Sequence, residues 1–134
     1  MRINRKLFKL LPGDILKVFL NDELFVEAER ADSFLEHLKG LMFNEINKDE
    51  GLLLAFEKNR KWSIWMLFVP QDLALFFLDD EGRVVDKKIA EKLTWNPKTW
   101  NVYKPAKRCK YVLECHKERI NDLEINERLE WKNG

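Results

Sequence analysis

The hexapeptide Leu73-Ala74-Leu75-Phe76-Phe77-Leu78 constrains the fold of this chain more than any other stretch. It is apolar at every position and too short for a buried helix. It has none of the alternation of a strand with one wet face, so it reads as a strand covered on both sides. Upstream stand Trp62, Trp65 and Met66. Downstream, Asp79-Asp80-Glu81-Gly82 has the composition of a short hairpin loop, and Arg83–Ile89 returns from it. One carboxylate, Asp72, immediately precedes the run, at the edge of what must be core.

The remaining segments suit a domain built around such a strand. Leu7–Leu10, a Pro12-Gly13 turn and Ile15–Leu20 read as a hairpin. Asn21-Asp22-Glu23 makes a second turn, and Leu24–Glu29 alternates as a half-buried strand. The clearest helix signal spans 31–40: Asp32 or Ser33 caps it, Ser33 and Glu36 have capping-box spacing, and Gly40 stops it. Asn44–Glu50 is a polar loop, Leu52–Phe56 a buried strand and Lys58-Asn59-Arg60 a turn. Residues 90–100 have no consistent period, and Asn96-Pro97 marks a turn there. Short strands are expected over Trp100–Tyr103, Cys109–Cys115 and Asn126–Trp131, with one helical turn over 116–124. The fold class is therefore mostly β, a compact β-barrel or jelly-roll-like sandwich with one short helix. The 134 residues suit a single domain, 1–134, with 1–23 as an N-terminal hairpin extension and 24–131 as the β core.

An ordered succession of short motifs resembles a known family. It comprises Gly40-Leu41-Met42, then Gly51-Leu52-Leu53-Leu54-Ala55-Phe56, Trp65-Met66, and Pro70 with Asp72-Leu73. It continues with Phe77-Leu78-Asp79, Gly82-Arg83-Val84-Val85, Pro105-Ala106 and Val112-Leu113-Glu114. The order and spacing are similar to domain of unknown function family 192, also called uncharacterised protein family 0127. The Ser63–Phe68 stretch looks closest to its archaeal branch. The resemblance covers Leu24–Trp131. It departs at His37, where the family pattern has arginine, at Gln71-Asp72 in place of Leu-Asp, and at Asn126-Glu127 in place of Gly-Asp. It implies a mostly β jelly-roll or barrel with one helix, and brings no activity with it.

Charge narrows the function classes. Basic and acidic residues nearly balance, 24 against 23, so net charge selects no partner, but the distribution is uneven. Residues 21–58 hold ten acids against four basic residues, and 98–110 hold five basic residues and no acid. No apolar run reaches the ~20 residues of a membrane span, and the N-terminal stretch lacks the apolar centre of a signal peptide. The expected setting is cytoplasmic, with no membrane partner. Cys109 and Cys115 are six apart on one expected strand, hence roughly 20 Å apart at ~3.3 Å per residue. A disulfide needs less than ~7 Å between Cα atoms. Both cysteines read as small core residues on one face with Tyr111 and Leu113, which turns Glu114 toward a surface or groove with Lys110 and Val112.

Three readings follow. The first is a non-catalytic binding or interaction domain for a small ligand or protein, with Trp62, Trp95 and Trp100 as ligand-binding residues; Trp95 and Trp100, beside Pro97, are the pair expected to be exposed. The second is a hydrolase- or lyase-like enzyme using Asp72 or Glu114 as acid or base. Its structural counterpart is a carboxylate held by backbone amides at a strand end, or paired with Arg60 or Arg108. The third is a single-stranded nucleic-acid binder using the basic, ring-bearing 98–110 stretch, with Lys104, Lys107, Arg108 and Lys110 on phosphates. No spacing of Cys, His and carboxylates suggests a metal, and no glycine-rich loop suggests a nucleotide, so no cofactor is expected.

Overall fold

The computed structural model describes residues 15–31, 45–62, 64–66, 69 and 71–133. The helix expected over 31–40 and the first strand of the N-terminal hairpin, Leu7–Leu10, fall outside them, apart from Ala31. Nine strands occur in chain order: β1 Ile15–Leu20, β2 Glu23–Ala31, β3 Glu50–Arg60, β4 Ile64–Trp65, β5 Leu73–Leu78, β6 Val84–Ala90, β7 Val102–Tyr103, β8 Cys109–His116 and β9 Leu129–Asn133. Single 3-10 turns occupy Pro97–Thr99 and Lys117–Arg119. Among the described residues no helix is long and apolar enough to cross a membrane.

Seven strands form one sheet in the order β6-β5-β8-β3-β2-β1-β9, and β4 and β7 form a separate ribbon. Every neighbouring pair is antiparallel except β2–β3. The turns are written in the sequence. Asn21 and Asp22 both take positive φ, 52° and 68°, between the paired Leu20 and Glu23. Short side chains that hydrogen-bond locally tolerate that left-handed pair, which matches the strand twist. At the β5–β6 turn Asp79 Oδ1 accepts from the N–H groups of Glu81 and Arg83, and Gly82 supplies φ 83°.

The sheet curls until its two ends meet. Arg83 and Arg128 form an isolated antiparallel bridge. Three backbone bonds sew the seam: Val84 N to Glu127 O, Asn126 N to Val84 O, and Leu129 N to Gly82 O. The result is barrel-like, joined at this seam by a bridge rather than a continuous ladder. Ring contacts across the interior confirm the curl. Phe25 of β2 meets Phe76 of β5 edge-on at 6.3 Å, and Tyr111 of β8 meets Trp131 of β9 at 4.8 Å, although neither pair of strands is adjacent in the sheet.

Inside lies a cluster to which all seven strands contribute, including Leu16, Val26, Leu53, Phe76, Leu113 and Leu129. A second cluster lies on the other face of the central strands: Leu52, Leu54, Leu73, Leu75, Phe77 and Val112, roofed by Ile46, Ile64, Met66 and Val69. All six residues of β5 are buried, as an apolar run without alternation requires.

Three local expectations are corrected. β3 continues to Arg60 rather than turning at Lys58-Asn59-Arg60, because Arg60 pairs with Cys109. Between that pair and Ala55↔Tyr111 the register slips, so residues 56–59 of β3 stand against Lys110 alone. The slip sends Cys109 into the outer cluster, while Cys115, Leu113 and Tyr111 pack on the inner one. Glu114, expected at a surface or groove, is fully buried. Its partners across the ladders, Leu52 and Leu75, belong to the outer cluster, so its side of the sheet is covered as well.

Candidate functional site

A broad cleft lies where β5 begins and β8 ends. It encloses about 840 Å³ and is lined by 45–49, Gln71 and Asp72, Lys92, and His116 with Lys117. The β5–β8 register creates this convergence: Leu73 pairs with His116, so the residues just outside that pair, Asp72 and Lys117, become neighbours. Segment 45–49 reaches the same place as the lead-in to β3.

The walls are fixed by side chains bonded to backbone. Gln71 holds Ile46 at both ends, Oε1 accepting from its N–H at 2.6 Å and Nε2 donating to its carbonyl at 3.3 Å. Arg119 donates to the carbonyls of Lys48 at 2.5 Å and Phe25 at 3.1 Å, pairs with Asp122, and lies 4.1 Å over the Phe25 ring. Lys48 in turn pairs with Glu118 at 2.6 Å, and this ammonium holds the Glu118 carboxyl below the usual carboxylate range. A wall fastened this way need not be ordered when a ligand arrives.

Asp72 occupies the strand-end position that the structural alternative foresees, with different partners. Oδ1 accepts from the backbone N–H of Lys92 at 2.9 Å, and Oδ2 lies 3.9 Å from Lys117 Nζ, so the partners are Lys92 and Lys117 rather than Arg60 or Arg108. It is about a third exposed. His116 caps the 3-10 turn, its Nδ1 accepting from Glu118 N–H at 3.2 Å, which places the neutral ring's proton on Nε2 and leaves that nitrogen for a ligand. Glu114 does not line the cleft. Among the described residues no group of three or more His, Cys, Asp or Glu side chains is placed to hold a metal.

The other singled-out residues lie elsewhere. Trp62 stacks on Phe56 at 4.4 Å, with Arg60 5.2 Å from its ring centre, and donates to Lys58 O. Trp95 and Trp100 stand on the 93–101 loop and are 98% and 58% exposed. None of the three tryptophans lines the cleft. Lys104, Lys107 and Arg108 are exposed on the β7–β8 connection. Lys110 sits 5.9 Å from the Tyr111 ring and helps line a smaller recess of about 290 Å³ with Arg30, Phe56 and Glu57. Gln71 and Arg119, the two anchors, carry no sequence signal of their own; Gln71 is visible only as a departure from the family's Leu-Asp.

Comparison with known proteins agrees with the resemblance in the motifs. The DUF192 family, described as uncharacterized ACR, matches residues 17–131. A UPF0127 protein of Thermococcus kodakarensis is 35% identical over 75% of this chain and 60% of its own length. One from Thermococcus gammatolerans is 32% identical over 75% of this chain and 61% of its own. The chain thus spans about three fifths of these Thermococcus relatives. A UPF0127 protein of Pyrococcus furiosus is 29% identical over 87% of this chain and 97% of its own length. Two crystal structures share the fold. A candidate transcription regulator of Sinorhizobium meliloti has TM-score 0.72 and 18% identity over 90% of this chain and 94% of its own. A protein of unknown function from Novosphingobium aromaticivorans has TM-score 0.70 and 21% identity over 89% and 85%. With its curled β fold, its ordered motifs and this match along most of its length, the chain belongs to the DUF192 (UPF0127) family.

Proposed function

We propose that the chain is a non-catalytic binding domain whose ligand is a small polar molecule, its anionic group met by the lysines and any cationic group by the carboxylates of the cleft at the β5–β8 end. One observation carries this reading. The cleft walls are held by Gln71, Arg119 and Asp72 through backbone bonds, and those walls present Lys48, Lys92, Lys117 and His116 among the carboxylates of Glu45, Asp49 and Asp72. A preformed concave site with a few placed polar groups is the usual form of a small-molecule pocket. Acid–base catalysis by Asp72 with Glu114 finds less support, since only Asp72 lines the cleft. The two free, buried thiols Cys109 and Cys115 suit a reducing, cytoplasmic setting.

The test is calorimetry and thermal shift against a panel of small carboxylates and phosphate esters. A ligand of this site raises Tm with concentration, because binding only the folded state stabilises it by mass action. Lys92→Ala and Lys117→Ala each weaken that ligand while leaving the unliganded Tm in place. A panel without any shift at millimolar concentration, or a binder indifferent to both substitutions, counts against the reading.

A further inference from the structure

Two basic segments far apart in the sequence are neighbours in the fold. The pairs Arg60↔Cys109 and Ile64↔Tyr103 bracket them. Between these points run Lys61 and Trp62 on one side and Lys104, Lys107 and Arg108 on the other. Arg60, Lys61, Lys104, Lys107 and Arg108 are all exposed. Residues 58–63 and 98–110 contain no Asp or Glu. Among the described residues, Glu57, Asp86 and Glu91 are acids on elements that adjoin these segments. Asp86 is occupied with backbone, its two oxygens accepting from the N–H groups of Lys87 and Ala106. The chain's near-zero net charge therefore conceals a strip of one sign.

The β7 end of this strip leads into the 93–101 loop, which is bonded to itself. Thr94 N–H donates to Thr99 Oγ1, Asn96 N–H to Thr94 Oγ1 and Lys98 N–H to Asn96 Oδ1, while Thr99 Oγ1 donates to Asn96 O. Trp100 Nε1 donates to Thr94 O at 2.7 Å. The side chains of Thr94, Asn96, Thr99 and Asn101 are thus engaged within the loop, and what it holds out is the exposed Lys98 and the Trp95 indole, 98% exposed, with Trp100 also exposed. A ring on a loop already fixed gives up little freedom when something stacks on it.

We propose that this strip binds single-stranded nucleic acid, with phosphates on Arg60, Lys61, Lys104, Lys107 and Arg108 and bases stacked on Trp95 and Trp100. Trp62 is not one of the stacking rings, because Phe56 and Arg60 already lie against it. A duplex offers no free base face to Trp95. A bilayer would call for a broader apolar tip than two rings set among Thr94, Asn96, Lys98 and Asn101.

The experiment is fluorescence anisotropy with a labelled oligothymidylate and oligouridylate. Five phosphate contacts predict a log–log salt slope of about −3.5, or about a hundredfold weakening between roughly 50 and 200 mM salt. Trp95→Ala weakens binding roughly tenfold, the loss of one stacked base, and leaves Tm unchanged. Lys107→Ala with Arg108→Ala reduces the slope by about 1.4. No binding at about 50 mM salt overturns the proposal. So does binding matched by heparin or duplex and indifferent to Trp95→Ala, which marks simple polyanion attraction. Capture of anionic vesicles or an acidic protein in place of the oligonucleotide overturns it as well.

Discussion

Gln71 grips Ile46 by both ends of its amide, accepting from the N–H at 2.6 Å and donating to the carbonyl at 3.3 Å. Twenty-five positions separate the two residues, and this contact ties segment 45–49 to the start of the central strand. Gln71→Ala leaves a part-buried backbone N–H without its acceptor, a loss of about 1–3 kcal/mol. The expected outcome is a lower Tm together with faster hydrogen exchange over 45–49. Gln71→Glu keeps the acceptor but sets a charge against the Ile46 carbonyl, and is expected to fall between wild type and alanine. If exchange at 45–49 is unchanged in the alanine variant, Gln71 is not what holds that wall.

Gly82 closes the seam, and its conformation leaves no room for a side chain. At φ 83° a Cβ would come 2.5 Å from Leu129 O, and Leu129 N–H already donates to Gly82 O. Gly82→Ala carries the left-handed penalty of roughly 1–3 kcal/mol, and the backbone clash adds to it. Denaturant melts should show a fall in midpoint of that size. Protection of the Leu129 and Val84 amides should drop more than that of the β3–β8 ladder.

Lys48 and Glu118 form an exposed pair with a legible pH signature. The ammonium lowers the Glu118 carboxyl, so the native state holds fewer protons there than the unfolded chain. The contribution is present above the ordinary carboxylate range and is lost as pH falls through the depressed value. An NMR titration of Glu118 should move up in Lys48→Met, and move partway in wild type at high salt. A titration blind to both changes means the pair does not persist in solution.

The cysteines predict behaviour at the opposite end of the scale. Burial pushes the Cys109 thiol up to about 11 and raises Cys115 further. Between pH about 9, where unfolded thiols ionise, and the raised native values, the native state keeps protons the unfolded state has lost. Stability is therefore full below that window and falls through it, with a slope approaching about 1.4 kcal/mol per pH unit for each thiol. Native protein should be silent to a thiol reagent at neutral pH, with both cysteines reacting on unfolding. Cys109→Ala should flatten the alkaline slope.

Much of this architecture is legible in the residues. The unbroken apolar run of β5 requires cover on both faces, and Asn21-Asp22 and Asp79–Gly82 dictate their turns chemically. Trp95 and Trp100 stand out as exposed because no periodic segment claims them. Alternation fails at two points, each for a physical reason. It gives Glu114 a side opposite Leu113 and Cys115 but is silent on whether that side is roofed, and Ile46, Ile64 and Met66 roof it. It assumes an unbroken strand across Cys109, where the β3–β8 register slips. Asp72 draws notice as a carboxylate beside the core. Its neighbours Lys92, His116 and Lys117 do not, because only the pairing of β5 with β8 and the path of β6 bring them together.

The antiparallel pairing of β1 with β9, from Leu16↔Asn133 to Leu20↔Leu129, has a consequence for how the molecule is made. The first described strand is the permanent neighbour of the last. During synthesis the β1–β2 hairpin emerges before β3 to β8, and the flank of β1 that will pair with β9 waits until those strands have been made. The seam at Gly82 waits for the same segment. Pairing of β1 with β9 is thus a long-range event, of the kind that slows folding and leaves a sheet edge open to wrong partners. For this protein the hazard lies less in the finished sheet than in the interval before β9 arrives.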